Sequence, residues 1–362
     1  MGGVVPLVAL ADGNRVVSTF LDSLEWDALR RDSRQGLVTL PGCGTPAYLR
    51  RSRAGLQHFV HQPGTAAGCS NHEAESPAHL RAKALIVDAA RAVDWEAEPE
   101  VPGPGYVADV LAARDRRRVV FEVQMSEQAG TDYRDRTAVR VADGVEVVWL
   151  ASVKGRRGAD ESVRPDATMP LVRLAVPGDP AAVRVGADVV ATDDFVQLYL
   201  TGRISIRTHV SGPAATKAEL MQYPCYRCGD ASTVWRVDGL TVEGRCGLSA
   251  LVPDRAGGMW ATERPEADSQ IQQAVRDRVA TAGWALCAAL SLKTSGTAGQ
   301  YLAFSCAHCD ALFGDWPLRS EWMNAAYVDG AIIDAVVPAG EQCLSRTHWC
   351  RERGYGLCEN LS

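Results

Sequence analysis

Between residues 71 and 210 the spacing of apolar positions switches between periods of 3.6 and 2. Leu85, Ile86, Ala89, Ala90 and Val93 form one stripe, which predicts a helix over 73–93. Pro77 falls in its first turn, where a missing N–H is tolerated. Residues 99–105 (PEVPGPG) read as a breaker loop. Segments 106–113 and 119–125 alternate around the polar turn 114–117, so they should pair as a hairpin. Segment 131–142 reads as a second helix and 145–150 (VEVVWL) as a buried strand. Helix, strand, strand, helix, strand implies a mixed α/β sheet with helices packed on it.

The flanking blocks are shorter in period. Residues 1–70 read as a small α+β domain: a strand over 4–10, a helix over 19–31, then strand pieces with turns at Pro41-Gly42 and Pro63-Gly64. A Gly/Ala/Thr stretch at 211–216 reads as a linker. Residues 220–362 form a third, α+β block that holds most of the eleven cysteines.

Composition narrows the classes. A chain of 362 residues suits two or three domains. With 46% apolar and 23% charged residues it is neither disordered nor collagenous. No apolar run reaches the ~18 residues of a membrane span. The net charge of -6 excludes a generally basic nucleic-acid coat, though not a local basic groove. Only Lys83, Lys154, Lys217 and Lys293 are lysine, the other basic residues being arginine. That bias, with the Ala/Val/Gly richness, reads as a trait of genome composition, so arginine abundance is discounted as a sign of nucleic acid. The apolar start lacks a basic leader and does not read as a signal peptide, so the eleven cysteines are expected to sit in a reducing compartment, the cytoplasm.

Two carboxylates stand out. Glu122 and Gln124 share one face of the strand 119–125, and Asp109 is a lone acid in the partner strand. Carboxylates on adjacent strands repel unless a cation lies between them, and hard oxygen donors suit Mg²⁺ or Mn²⁺. Glu75, His79 and Lys83 recur every four residues, on one helical face. If that face looks at the sheet edge, Glu75 is a third ligand, and His79 and Lys83 supply donors to an anionic substrate. Singly, each of these residues also fits a solvated position; the joint pattern is what points to a site.

The run Glu75-Ser76, His79, Lys83, then Ala108-Asp109-Val110, Phe121-Glu122-Val123-Gln124-Met125-Ser126, Arg136 and Trp149-Leu150 resembles the competence protein CoiA-like family. That resemblance implies a nuclease domain of the PD-(D/E)xK type over 71–210. Asp109 and Glu122 would hold the metal, with Glu75 and His79 as site residues. Gln124 stands where the motif usually has lysine; glutamine orients water but cannot take a proton, and Lys83 is the candidate to fill that place. The activity implied is metal-dependent phosphodiester hydrolysis in DNA, in uptake, processing or defence. The alternative is an inactive nuclease fold serving as a DNA-binding accessory factor, with protein partners in a DNA-processing complex. Arg134, Arg136 and Arg140, with Arg114, Arg116 and Arg117, are candidates to grip the nucleic-acid backbone, and equally fit a solubilising surface.

Cys225-x2-Cys228 and Cys306-x2-Cys309 have the spacing of a structural Cys₄ Zn²⁺ site. Their long separation requires an inserted subdomain, including a helix over 268–282. The two halves resemble a zinc-ribbon-like module of some CoiA-like proteins. A Cys-x2-Cys with His-Phe-x-His also recurs in that family; here the first cysteine position is Leu40, and Cys43, His58, His61 and Cys69 are the set that would rebuild a Zn²⁺ site. Without zinc, Cys43 packs and the histidines hydrogen-bond in a small core. Cys343, Cys350 and Cys358 with His348 fit no standard template, and read as free thiols or as a second metal group.

Overall fold

A computed structural model describes residues 6–41, 43–53, 55–62, 75–126, 128–152, 166–186, 188–253, 269–287, 291–296, 299–353 and 356–358. The chain divides into two compact units where three blocks were expected. One unit is residues 1–208 with 347–357; the other is 209–346 with 358–362. The first block therefore belongs with the middle one.

The first unit opens with β1 (Val8–Ala11), β2 (Asn14–Val17), α1 (Ser23–Ser33), β3 (Val38–Thr39), β4 (Ala47–Arg51) and β5 (Gln57–His61). Helix α1 begins at a capping box: the Asp22 carboxylate accepts from the Leu24 and Glu25 amides, and Glu25 accepts from the Asp22 amide. Trp26, Leu40 and Phe59 are fully or almost fully enclosed in the core of this segment.

There follow α2 (Pro77–Arg91), β6 (Glu96–Gly103), β7 (Tyr106–Arg114), β8 (Arg117–Gln124), α3 (Gly130–Ala142), β9 (Glu146–Ala151), β10 (Leu171–Val176), β11 (Asp179–Val185), β12 (Asp188–Ala191) and α4 (Thr192–Leu200). They make a seven-stranded mixed sheet in the order β12-β11-β10-β9-β8-β7-β6. Strands β8, β9 and β10 run parallel, and the other neighbours antiparallel. The β7–β8 hairpin forms as the alternation predicts. The stretch read as a loop at 99–105 is instead largely strand β6. Its prolines are accommodated because β6 is the sheet edge, where one side of the backbone needs no partner.

Helices cover both faces of the sheet. On one, Ile86 of α2 and Phe195 of α4 pack with Val110, Phe121 and Val148. On the other, Tyr133 of α3 stacks edge-on against Trp149 at 4.9 Å, beside Val120 and Val147. Burying a large apolar side chain of this kind contributes roughly 1.5–3 kcal/mol.

The second unit contains most of β13 (Ile204–Pro224), then β14 (Ala231–Glu243), β15 (Ser249–Pro253), α5 (Ser269–Ala282), β16 (Ser291–Ser295), β17 (Gly299–Ala303), α6 (Asp315–Ala325) and most of β18 (Ile332–Arg351). Its sheet runs β15-β14-β13-β18. Residues 211–216, read as a linker, lie inside β13, with Ala214 opposite Val242 and Thr216 opposite Leu240. The small residues mark close packing rather than flexibility: a side chain at Gly212 would collide with the Glu243 carbonyl oxygen. Helix α5, inserted between the cysteine pairs as expected, buries Ile271, Val275 and Val279 in a core with Phe304, Phe313 and Trp322. Among the described residues no helix is long and apolar enough to cross a membrane.

Candidate metal centres

The first unit brings Glu75, His79 and Asp109 together: one ligand atom from each lies within 4.8 Å of the others. Helix α2 starts later than expected. Ser76 is its cap, accepting from the His79 amide at 3.1 Å, and Pro77 is its first residue. Glu75 therefore precedes the helix instead of sharing its face, yet its carboxylate still reaches Lys83. The Lys83 side chain is fully buried, with Nζ donating to Glu75 Oε1 at 2.9 Å and to Glu100 Oε1 at 2.8 Å.

Asp109 accepts the Val123 amide at 2.8 Å, so its carboxylate takes over a backbone bond at the end of the β7–β8 ladder. Here the alternation read from sequence breaks. Ala108 packs on the α3 side of the sheet and Val110, two residues on, packs on the α2 side. The β6–β7 pairing passes from Pro99↔Val110 to Val101↔Ala108, skipping Glu100 and Asp109, and Glu100 has a left-handed φ of 54°. Asp109 consequently meets α2.

Glu122 does not join it. The expected Asp109–Glu122 pair is not among the groups drawn together here: Glu122 is bound by arginines, though the Asp109 charge still acts on it. Glu122, 1% exposed, accepts from Arg140 Nε at 2.8 Å and from Arg136 Nη2 at 2.9 Å, both on α3. Arg136 also donates to Gln124 and Gln128, each at 3.1 Å, and lies over the Trp149 ring. Gln124 donates to Ser126. Arg136 and Arg140, candidates to grip nucleic acid, are the counter-charges of a buried carboxylate; Arg136 keeps about a third of its side chain exposed. Arg134 pairs with Asp166, and Arg117 of the hairpin turn with Glu146. Sequence reasoning missed Glu100, because a glutamate inside a proline-rich run carries no periodic signal.

The electrostatics follow from burial and neighbours. Burial raises the Glu75 pKa, against Lys83 and His79. Burial opposes protonation of His79, but the adjoining Asp109 and Glu75 carboxylates hold its pKa above the ordinary value. Burial would raise Asp109 too, yet His79, Lys83 and the Val123 amide keep it below the usual range. Glu122 is raised by burial and by the Asp109 charge, with both arginines opposing. His79 Nε2 lies 3.1 Å from Asp109 Oδ2, and Glu75 Oε2 2.7 Å from Lys83 Nζ. A nitrogen and two carboxylates converging in this way fit a divalent cation.

The second unit gathers Cys225, Cys228, Cys306 and Cys309. The Cys225–Cys309 and Cys228–Cys306 sulfurs are each 3.6 Å apart, close to the ~3.8 Å edge of a tetrahedron with Zn–S bonds of ~2.3 Å. The two knuckles have the same build. The Cys225 carbonyl accepts from Gly229 N and the Cys306 carbonyl from Asp310 N. Gly229 and Asp310 both take left-handed φ, 82° and 54°. Arg227 N and His308 N each point at the first sulfur of their knuckle at 3.4 Å. Ser232 donates to the Cys306 sulfur at 3.6 Å. Such donors stabilise thiolates and orient them. This cluster could hold a zinc-like ion.

The other thiols divide. Cys43 Sγ lies 3.6 Å from His61 Nε2, but His58 is three residues from His61 on β5, hence on the opposite face. His58 Nδ1 sits 3.1 Å from the Leu56 carbonyl, and burial lowers its pKa. The expected set is thus not assembled among the described residues, and Cys69 lies outside them. Within the second unit, Cys246 and Cys358 are buried with sulfurs 3.7 Å apart, while Cys343 is half-buried. Compared with known proteins, the chain matches no family model, no curated protein and no solved structure.

Proposed function

We propose that the first unit is a divalent-metal-dependent phosphodiesterase of nuclease type acting on DNA, with Mg²⁺ or Mn²⁺ held by Glu75, His79 and Asp109. The observation that carries this reading is the convergence of those three groups, one ligand atom of each lying within 4.8 Å of the others. The sequence resemblance to the CoiA-like nucleases, and a helix–hairpin–helix–strand order, support a PD-(D/E)xK-like core. When bound, the metal lowers the pKa of its water and neutralises charge on phosphate oxygens. The chain supplies the rest. The Val123 amide fixes the Asp109 carboxylate. Glu122, Gln124 and Gln128 orient Arg136, about a third of whose side chain is exposed, toward a phosphate. Zn²⁺ in the four-cysteine cluster serves folding of the second unit.

A second reading is a nuclease fold retained as a DNA-binding accessory factor. Gln124, engaged with Arg136 and Ser126, cannot accept a proton, and both oxygens of Glu122 are occupied by arginines. Incubation of the purified protein with plasmid DNA and Mg²⁺, Mn²⁺ or chelator decides between them. The catalytic reading expects metal-dependent nicking or degradation that Asp109→Ala abolishes. Salt-dependent binding with no cleavage under any metal selects the accessory factor, and cleavage unaffected by Asp109→Ala removes the site from either role.

A further inference from the structure

The buried lysine of the carboxylate site answers to two acids, and only one of them is a candidate metal ligand. Lys83 Nζ lies 2.8 Å from Glu100 Oε1. That same oxygen accepts the Leu7 amide at 2.7 Å. Arg15 donates to the Glu100 carbonyl at 3.2 Å and to that of Pro99. Glu100 holds a left-handed backbone at the point where the β6–β7 pairing skips a step, across from Asp109. A glutamate in that conformation is strained, and persists only where its surroundings over-determine it.

The charges explain what the arrangement achieves. Glu75, Glu100 and Asp109 bring three negative charges to one fully buried ammonium. If Glu100 and Lys83 neutralise each other, Glu75 and Asp109 are left with two negative charges, matched to one divalent cation. Lys83 Nζ already contacts both oxygens of Glu75, at 2.9 and 2.7 Å, so Glu100 shares the ammonium with it; if Glu100 is neutral, the whole of that positive charge falls on Glu75. We propose that Glu100 is a positioning residue: it shares the Lys83 ammonium with Glu75, so that Glu75 keeps part of its negative charge for the cation, and the Leu7 amide locks it in that role. This rests on the metal-site reading above, and it adds a residue that touches neither metal nor substrate.

The test is Mn²⁺ binding to the full chain by electron paramagnetic resonance, in wild type, Glu100→Gln, Lys83→Gln and the double variant, with Asp109→Ala alongside. Glutamine keeps an oxygen for Leu7 and Lys83 and removes only the charge. Glu100→Gln is expected to weaken Mn²⁺ binding roughly tenfold in the wild-type background, and by less than about twofold when Lys83 is already Gln. Equal weakening in both backgrounds would show that Glu100 acts as a distant charge, and no weakening that it plays no part; either overturns the proposal while leaving the metal site standing. Absence of Mn²⁺ binding in wild type removes the site and the proposal together. Should Glu100→Gln fail to fold, Glu100→Asp keeps the charge but shortens its reach. The same loss of affinity is then expected, and unchanged affinity overturns the proposal.

Discussion

The two candidate metal centres are built on opposite plans. The cysteine cluster is two copies of one local turn, each supplying both its ligands from four consecutive residues and its own amide donors. The carboxylate centre takes Glu75 from before α2, His79 from within it and Asp109 from a strand, and it shares its space with a buried ammonium and an extra acid. A site whose thiolates and amide donors come from the same tight turns depends little on its surroundings. A site made of charges is only as good as the counter-charges that other elements bring.

Breaking the cysteine cluster should have the largest effect. Four thiols with no competing cation must gain most of their order from the ion, and structural zinc sites contribute on the order of 10 kcal/mol. Cys306→Ser is expected to lose one zinc equivalent by elemental mass spectrometry. The second unit should lose cooperative unfolding in thermal melts, while Mn²⁺ binding by the first unit persists. Loss of both together would mean that the two centres are not independent.

The arginine clamp is the next test, smaller because charge is redistributed instead of being stripped of its ion. Arg140→Met leaves Glu122, 1% exposed, with Arg136 as its one remaining guanidinium. Breaking a buried ion pair from one side costs roughly 3–5 kcal/mol, and with Arg136 still in place the loss should fall at the low end. Urea denaturation should show a lower midpoint with an unchanged slope. A loss under about 1 kcal/mol would mean that Glu122 is protonated in the native protein and needs no second arginine.

This difference in plan also decides what could be read from residues alone. The cysteine pairs are legible because spacing and turn geometry are the same thing at that length scale. The β7–β8 hairpin and helix α3 are legible because burial imposes their periods. Strand β6 was hidden by Pro99 and Pro102, which forbid a central strand but not an edge one. The facing of Asp109 was hidden by the skipped pair at Glu100: one interruption moves a side chain to the other surface of a sheet. Partners such as Arg136 and Arg140 for Glu122, or Glu100 for Lys83, are set by packing between elements, and no local pattern announces them.

The smallest effect separates the centres by pH. In metal-free protein the His79 pKa is raised above its ordinary 6.5 by Asp109 and Glu75, against the opposing effect of burial. A group raised in the folded state stabilises it fully below the unfolded pKa, and that contribution disappears as pH climbs through the folded value. The melting temperature of chelated protein should therefore decline from about pH 6.5 upward, and His79→Asn should flatten the decline. With Mn²⁺ present the sign reverses: the imidazole must be neutral to donate to a metal, so the ion's stabilisation grows over the same interval. The melting temperatures with and without Mn²⁺ should thus diverge as pH rises. Parallel curves would show that His79 gives its nitrogen to Asp109 alone, and that the cation, where it binds, is held by oxygen.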